Sequence, residues 1–440
     1  MGSTYEIIKD PVHGYIKIFG HEKEIIDTPI FQRLRRVKQN TGVHYVYPSA
    51  THTRFSHALG VMHIAGVFTE SLLSQVPRVS ETKRKRYYYL MRLWALTHDI
   101  GHGPFSHTFD DVVLMPKHNT DHEKFGAKIL RESNQLPRTV KPENGIEISL
   151  AEVASLFEVK SVEEWPLTKR IGRSDVKETV LYYVSRGAYS ADIMDFLMRD
   201  SYFSGAGYGH IDWRRLVFSS IAIGDKLVLD PRSEEAFDSL LLARLFMFSA
   251  VYYHRTTRAA IKVISDFLKD AMSKLNDFSD FIANVDNFAD LHEESILFHP
   301  TLADSIYRKQ LIERKIPYTR FKEQTKEVSL DISDATLAST LTHETRSRLP
   351  QQIRDLPKEA FFIDTPTFRL NPLFGRREDY IFLRDPNEPD GFRYRKVWET
   401  PWGLLQRKVL LLRLFIHDNY HEHGDDIVRA FLGRPIGTHV

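Results

Sequence analysis

The sequence predicts a mainly α protein, a large helical body followed by a smaller C-terminal lobe of mixed helix and strand. Three observations carry that prediction. Apolar residues recur at three- and four-residue steps through most of the first 275 positions, the spacing of helices that bury one face. Beyond residue 360 the texture changes to short β-type runs separated by Pro, Gly and Asn. No repeat or low-complexity tract interrupts either part, and 42% hydrophobic with 27% charged residues over 440 positions suits a packed core rather than disorder.

Each element has its own signal. "YEIIKDPVHGYIKIF" alternates apolar and polar residues around Pro11 and Gly14 and predicts a hairpin. Helical spacing starts near residue 22, where "DTPIFQRLRRVKQ" offers Asp27 or Thr28 as N-cap and Pro29 in the first turn. Ala58, Val61, Ala65, Phe68 and Leu72 trace an amphipathic helix. "RKRYYYLMRLWALTHDIGH" is apolar on more than one face, so it reads as a helix buried between others that stops at Gly101, Gly103 and Pro104. Residues 134–175 are richer in Pro, Gly and charge and read as an excursion from the core. Helical spacing returns through "ETVLYYVSRGAYSADIMDFLMRDSYF" and "EEAFDSLLLARLFMFSAVYYHRTTRAAIKVISDFLKDAMSKL". "AFFID", "EDYIFLRD", "FRYRKVW" and "RKVLLLRLFIHD" are the late strands. The expected organisation is a core at 1–275, with an insertion at about 134–175, and a lobe at 276–440 for oligomerisation or regulation.

Composition narrows the function. A formal charge of +2 gives no argument for strong attraction to nucleic acid or membranes. "RLRRVK" and "KRKRYYY" interleave basic and aromatic residues as single-strand binders do, but basic helix faces are commonly just solvated, so nucleic acid is not favoured. There are no cysteines, so any metal must be held by His, Asp or Glu. The start "MGSTYEIIKDPVHGY" has no apolar leader, and no run approaches the roughly 20 apolar residues of a membrane span. A cytoplasmic protein with no membrane association is the expectation.

The stretch 97–109, "THDIGHGPFSHTF", gathers three histidines and an aspartate where the buried helix ends. Trp94, Ala95 and Leu96 place that end inside, where an ionisable group is costly unless paired or metal-bound. His98 and Asp99 offer an imidazole nitrogen and a hard oxygen, a mix that divalent first-row ions accept. His57 and Asp192 on two further helices complete two imidazoles and two carboxylates, leaving positions for water and substrate. By spacing alone Asp195 is as eligible as Asp192.

"RFSHALGV", "THDIGHGPFSHTFD", "HE" at 122–123 and "DIMDFLMRD", in that order, resemble the HD-domain phosphohydrolases. Within them the chain is most similar to the deoxynucleoside triphosphate triphosphohydrolases and their bacterial and archaeal relatives. That branch includes proteins joining a sterile-alpha-motif domain to an HD domain. "DPVHGYIKI" and "DTPIFQRLRRVKQNTGVHYVYPSATHTRFSHALGV" resemble it almost continuously. The resemblance is strong over about 8–130, good around 185–260 and weak after 300. It implies a helical HD core and selects Asp192 over Asp195 beside His57, His98 and Asp99. It also implies one divalent cation (Mn, Fe, Mg, Zn, Co or Ni) and admits additional Mg.

The implied reaction is water attack at the α-phosphorus of a (deoxy)nucleoside triphosphate, releasing nucleoside and triphosphate. The resemblance puts His102, His107, Asp110, His122 and Glu123 on the phosphate side. His107 with Asp110 would handle protons, and His122 with Glu123 would support them or touch phosphate. Arg54 and Arg244 match phosphate-binding positions, which a planar guanidinium suits. Gln39, Tyr252 and Asp200 match positions contacting sugar and base. Asp27, Gln32 and Arg35 match positions that read an activating purine, guanine by the carboxylate, at the interfaces of a homo-tetramer.

The chain also departs from the branch. Its eukaryotic members have a lysine at Ile193, a tyrosine at Phe196 and, against the ribose 2′ position, a leucine at Asn40. Tyr253 replaces a glutamine, Phe248 a histidine and Glu6 a phosphate-binding lysine. Hydrolysis at a metal survives these changes, whereas preference for deoxyribose is reopened. Two alternatives stand beside the main expectation. One is an HD phosphohydrolase for another phosphoester, such as a nucleoside monophosphate or an alarmone. The other is a nucleotide- or nucleic-acid-binding regulator with a vestigial metal site, against which the complete ligand set argues.

Overall fold

The N-terminal hairpin forms where the alternation places it. In the computed structural model, which describes residues 5–172, 174–327, 334–368, 380–396 and 409–433, strand Tyr5–Asp10 pairs antiparallel with Gly14–Phe19. The Asp10 carboxylate accepts the Val12 and His13 amides at 2.9 Å and so closes the turn. Of the two N-cap candidates it is Thr28 that caps the helix starting at Pro29, its hydroxyl accepting the Phe31 amide at 3.4 Å.

Helix Arg54–Ser74 runs through the middle of the body, with Ala58, Val61, Ala65, Phe68 and Leu72 fully buried. Helix Glu81–Thr97, capped by Ser80, packs along it and buries Leu90, Met91, Leu93, Ala95 and Leu96, as its all-round apolar pattern requires. Helix Ala191–Ser204 packs against the same central helix. Each large apolar side chain buried here contributes about 1.5–3 kcal/mol, so packing rather than the site fixes where these three helices lie.

Residues 134–175 correct an expectation. They form the hairpin Thr139–Glu143 with Ile146–Ser149 and the short helix Leu150–Ser155, and Ile146, Ile148, Leu150, Val153, Phe157 and Trp165 all enter the main core. Gly145 supplies the turn at φ +79° while Lys141 and Glu147 face outward, so the polar texture marks a hairpin's edges rather than a departure from the core.

The late strands divide between two sheets. Strand Tyr318–Glu327, Val409–His417 and Phe361–Asp364 form one antiparallel sheet, under helices Asp334–Ser347 and Gly424–Leu432. Phe361, Ile363, Leu414, Ile416 and Ile427 give this lobe its own small core. The hairpin Tyr380–Arg384 with Phe392–Lys396 goes elsewhere. It adds to a hairpin that lies between the two later helical runs, Ser220–Ile223 with Lys226–Leu229, turned at Gly224. Phe382 and Leu383 lie parallel to Val228 and Leu229. The expected division at 275/276 is therefore crossed by a strand pairing, because the open edge of Lys226–Leu229 takes up a strand from the later segment. No single helix among the described residues is long and apolar enough to cross a membrane.

Candidate metal centre

The ends of the three packed helices bring four expected ligands together. His57 Nε2 lies 3.0 Å from Asp192 Oδ1 and 3.9 Å from Asp99 Oδ2. His98 Nε2 lies 3.4 Å from Asp99 Oδ1 and 3.8 Å from Asp192 Oδ1. Ligand atoms of His57, His98 and Asp99 all fall within 4.8 Å of one another. His98 sits just past the last turn of its helix, and its Nδ1 donates to the Ala95 carbonyl at 2.7 Å. That bond fixes the proton on Nδ1, and the lone pair of Nε2 is left buried without a hydrogen-bond partner. Two imidazoles and two carboxylates, one nitrogen unsatisfied, fit a divalent cation.

The charges are tuned by neighbours. Burial opposes the charged ring of His57, but hydrogen bonds to Asp192 and Asp195 outweigh it and raise its pKa to about 10. Burial likewise opposes the Asp99 anion, yet Arg54, His98 and His57 hold its carboxyl well below the usual range. Arg54 is spent on this task. Its Nη1 donates to Asp99 Oδ2 at 2.5 Å and its Nε to Ser106 at 2.9 Å, so the arginine expected on phosphate, which lines the cavity, also braces an expected metal ligand.

A second histidine group adjoins the first. His102, His107, Asp110 and His122 also place ligand atoms within 4.8 Å. The chain turns sharply at Phe105 and Ser106, both at positive φ, and a widened π-type turn at Asp110–Leu114 follows. Asp110 Oδ2 accepts from His122 Nδ1 at 2.5 Å, while His107, its expected partner, is 71% exposed and 3.4 Å away. The His102 ring stacks on His122 at 3.7 Å. Burial, then the cations Arg54 and His122, push His102 far below the ordinary histidine range. Burial lowers His122 too, but the Asp110 hydrogen bond wins and raises it. Glu123 pairs with Arg186 at 2.8 Å.

Both groups open into one cavity of about 780 Å³. Gln39, Arg54, Asp200, Arg244 and Tyr252 line it, as do Asn40 and Ile193. Asp200 accepts from His52 at 2.6 Å and from the Tyr252 hydroxyl at 2.5 Å, and Arg244 lies over the Phe248 ring at 4.8 Å. Asp27, Gln32 and Arg35 lie outside this wall. Gln32 donates to the Ile26 carbonyl, Arg35 donates to Gln32 and stacks over Phe55 at 3.5 Å, and Asp27 is exposed. Sequence reasoning missed the contribution of the C-terminal lobe. Ile363, Asp364, Thr365 and Pro366 form part of the wall, and Asp364 accepts from Arg258 at 2.6 Å. No local pattern could have joined residues so far apart in the chain. Asp195 was within reach of helix spacing but its task was not.

Residues 54–170 match the HD domain and residues 211–367 the HD associated region. An uncharacterized protein of Methanocaldococcus jannaschii is 34% identical over 321 residues, 72% of this chain and 60% of that one. An uncharacterized Bacillus subtilis protein is 32% identical over 275 residues, 61% and 56% of the two chains. The human deoxynucleoside triphosphate triphosphohydrolase SAMHD1 is 30% identical over 294 residues, 62% of this chain and 45% of that one. The chain thus spans only about half to three-fifths of the length of these relatives. A crystal structure of a hypothetical protein from Aquifex aeolicus shares the fold, with a TM-score of 0.69 at 24% identity over 97% of this chain and 100% of that one.

Proposed function

The chain is an HD-domain protein, and from that premise we propose that it hydrolyses (deoxy)nucleoside triphosphates to nucleoside and intact triphosphate. One observation carries the reading: a complete His57, His98, Asp99 and Asp192 donor set shares a cavity with a hydrogen-bonded Asp110–His122 pair. Similarity to a human triphosphohydrolase supports the choice of substrate. A divalent cation in that donor set lowers the pKa of water and neutralises charge on phosphate oxygens.

The chain's own residues do the rest. Water adds at the α-phosphorus, the bond to ribose O5′ breaks, and a proton must reach O5′. His122, whose hold on its proton the Asp110 hydrogen bond strengthens, supplies it, and the pair regains one from the attacking water. His102, held neutral, stacks on His122 and fixes its plane. Arg244 on the cavity wall offers a guanidinium to the phosphates.

The test is a panel of ribo- and deoxynucleotides with Mn²⁺, Mg²⁺ and Co²⁺, resolving phosphate, pyrophosphate and triphosphate. Triphosphate release is expected. Single-phosphate release would transfer the site to another phosphoester, and no turnover with any metal would leave a nucleotide-binding regulator. The reading extends to a homo-tetramer activated by guanine nucleotide at Asp27, Gln32 and Arg35. Added GTP or dGTP then raises rate and oligomer size, and a flat response in both removes that extension.

A further inference from the structure

Asp195 follows Asp192 by one turn of the same helix, yet it meets the opposite nitrogen of His57 and its side chain is fully buried. Oδ2 accepts from His57 Nδ1 at 2.8 Å and from Arg199 Nε at 2.8 Å. Oδ1 accepts from His13 Nε2 at 2.6 Å and from Arg199 Nη2 at 3.0 Å. Arg199, also buried, donates onward to Asp10 at 2.9 and 3.4 Å. Asp10 is the residue that closes the N-terminal hairpin turn. The central helix makes room with a glycine: a Cβ on Gly60 would stand 1.9 Å from Asp195 Oδ1 and 2.4 Å from Arg199 Nη2.

Burying two carboxylates and a guanidinium is costly, and packing apolar side chains there would cost nothing of the kind. The cluster therefore calls for a reason beyond stability. Its geometry supplies one. Every lone-pair direction of Asp195 is engaged by a donor fixed elsewhere, so the carboxylate cannot swing. A fixed acceptor on Nδ1 keeps the proton on that nitrogen and sets the plane of the His57 ring, so that Nε2 faces Asp99 and Asp192, where a bound cation would take the place of its proton.

We infer that Asp195 is the positioning residue of the metal centre, and that Arg199, Asp10 and His13 hold it, so that the hairpin turn at residues 10–14 acts on a ligand it never touches. The inference rests on the metal-centre reading above. Its test separates the two. Metal-stripped full-length protein is titrated with Co²⁺, reading the dissociation constant and the visible absorption bands. No Co²⁺ uptake by the unsubstituted chain overturns the metal-centre reading and this inference with it.

Given uptake, Asp195→Asn is expected to bind Co²⁺ about 10- to 100-fold more weakly, with shifted bands. Asp10→Asn, one ion pair further out, is expected to shift the bands in the same sense by less. In turnover, kcat falls while KM for nucleotide holds, because neither residue lines the cavity. Wild-type affinity and bands in folded Asp195→Asn overturn the positioning role. Wild-type bands in Asp10→Asn, which tests the chain of contacts even if Asp195→Asn fails to fold, overturn the part assigned to the hairpin.

Discussion

His57 and His122 both face the cavity, and each rests its Nδ1 on a buried aspartate, but what stands behind the two aspartates differs. Asp195 is backed by Arg199 and a second imidazole, His13. Burial would raise its carboxyl, and Arg199 with those hydrogen bonds drives it well below the ordinary range. Such a carboxylate stays an anion and acts as a fixed peg. Among the described residues Asp110 meets imidazoles: its bonds to His107 and His122 lower it against burial, and among those residues its Oδ1 has no hydrogen-bond partner. A carboxylate balanced against a histidine alone can exchange the proton between them. On the function proposed above, the same residue pair, His on Asp, serves as a bracket at one end of the cavity and as a proton carrier at the other, and the guanidinium behind Asp195 is the difference between them.

The largest effect that would test this contrast is removal of a ligand. His98→Ala or Asp99→Ala should lose metal, by elemental analysis, together with turnover by about a thousandfold or more. Either variant keeping full activity would break the bracket assignment. Asp110→Asn should lower kcat by about 10²- to 10⁴-fold while metal content stays near that of the unsubstituted chain. Loss of metal in step with activity would erase the distinction between the two aspartates. His107→Ala, at the exposed rim, should cost about tenfold or less in kcat, since His122 and not His107 holds the short contact to Asp110.

Histidines with no buried aspartate to hold their proton sharpen the contrast from outside the site. Burial, against partial opposition from nearby acids in two of them, lowers His21, His44 and His63 to about 4. Between pH 6.5 and 4 the unfolded chain binds these protons and the folded chain does not, so stability is full above about 6.5 and falls as pH drops through that window. Thermal melts of metal-stripped protein should therefore move down by several degrees from pH 7 to pH 5. A flat melting temperature would mean that burial alone does not set these rings.

Much of this was legible in the residues. The periodicity from Ala58 to Leu72 is a packing instruction, and it places His57 in the first turn of the central helix, where the structure brings it beside His98 and Asp99. His98 and Asp99 announced themselves by being ionisable beside Trp94 and Leu96. Local spacing could not separate Asp192 from Asp195, because both stand on the face toward the central helix and only the His57 ring, with its two nitrogens, distinguishes them. The resemblance paired Asp110 with His107, three residues away, where a neighbour twelve residues on comes closer. Strands such as "YIFLR" were visible as strands, but their partners are a tertiary fact that no window of sequence contains.

The parallel seam between Val228 and Phe382 also has a meaning in time. A chain made at about 5–20 residues per second exposes the edge of Lys226–Leu229 for on the order of ten seconds before Tyr380–Arg384 can be synthesised to cover it. During that interval the nascent protein carries an unpaired strand beside an otherwise foldable helical body, guarded at its start by Asp225 and Lys226. For that interval the seam's later strand, more than any local contact, governs how long an open edge is offered to other chains.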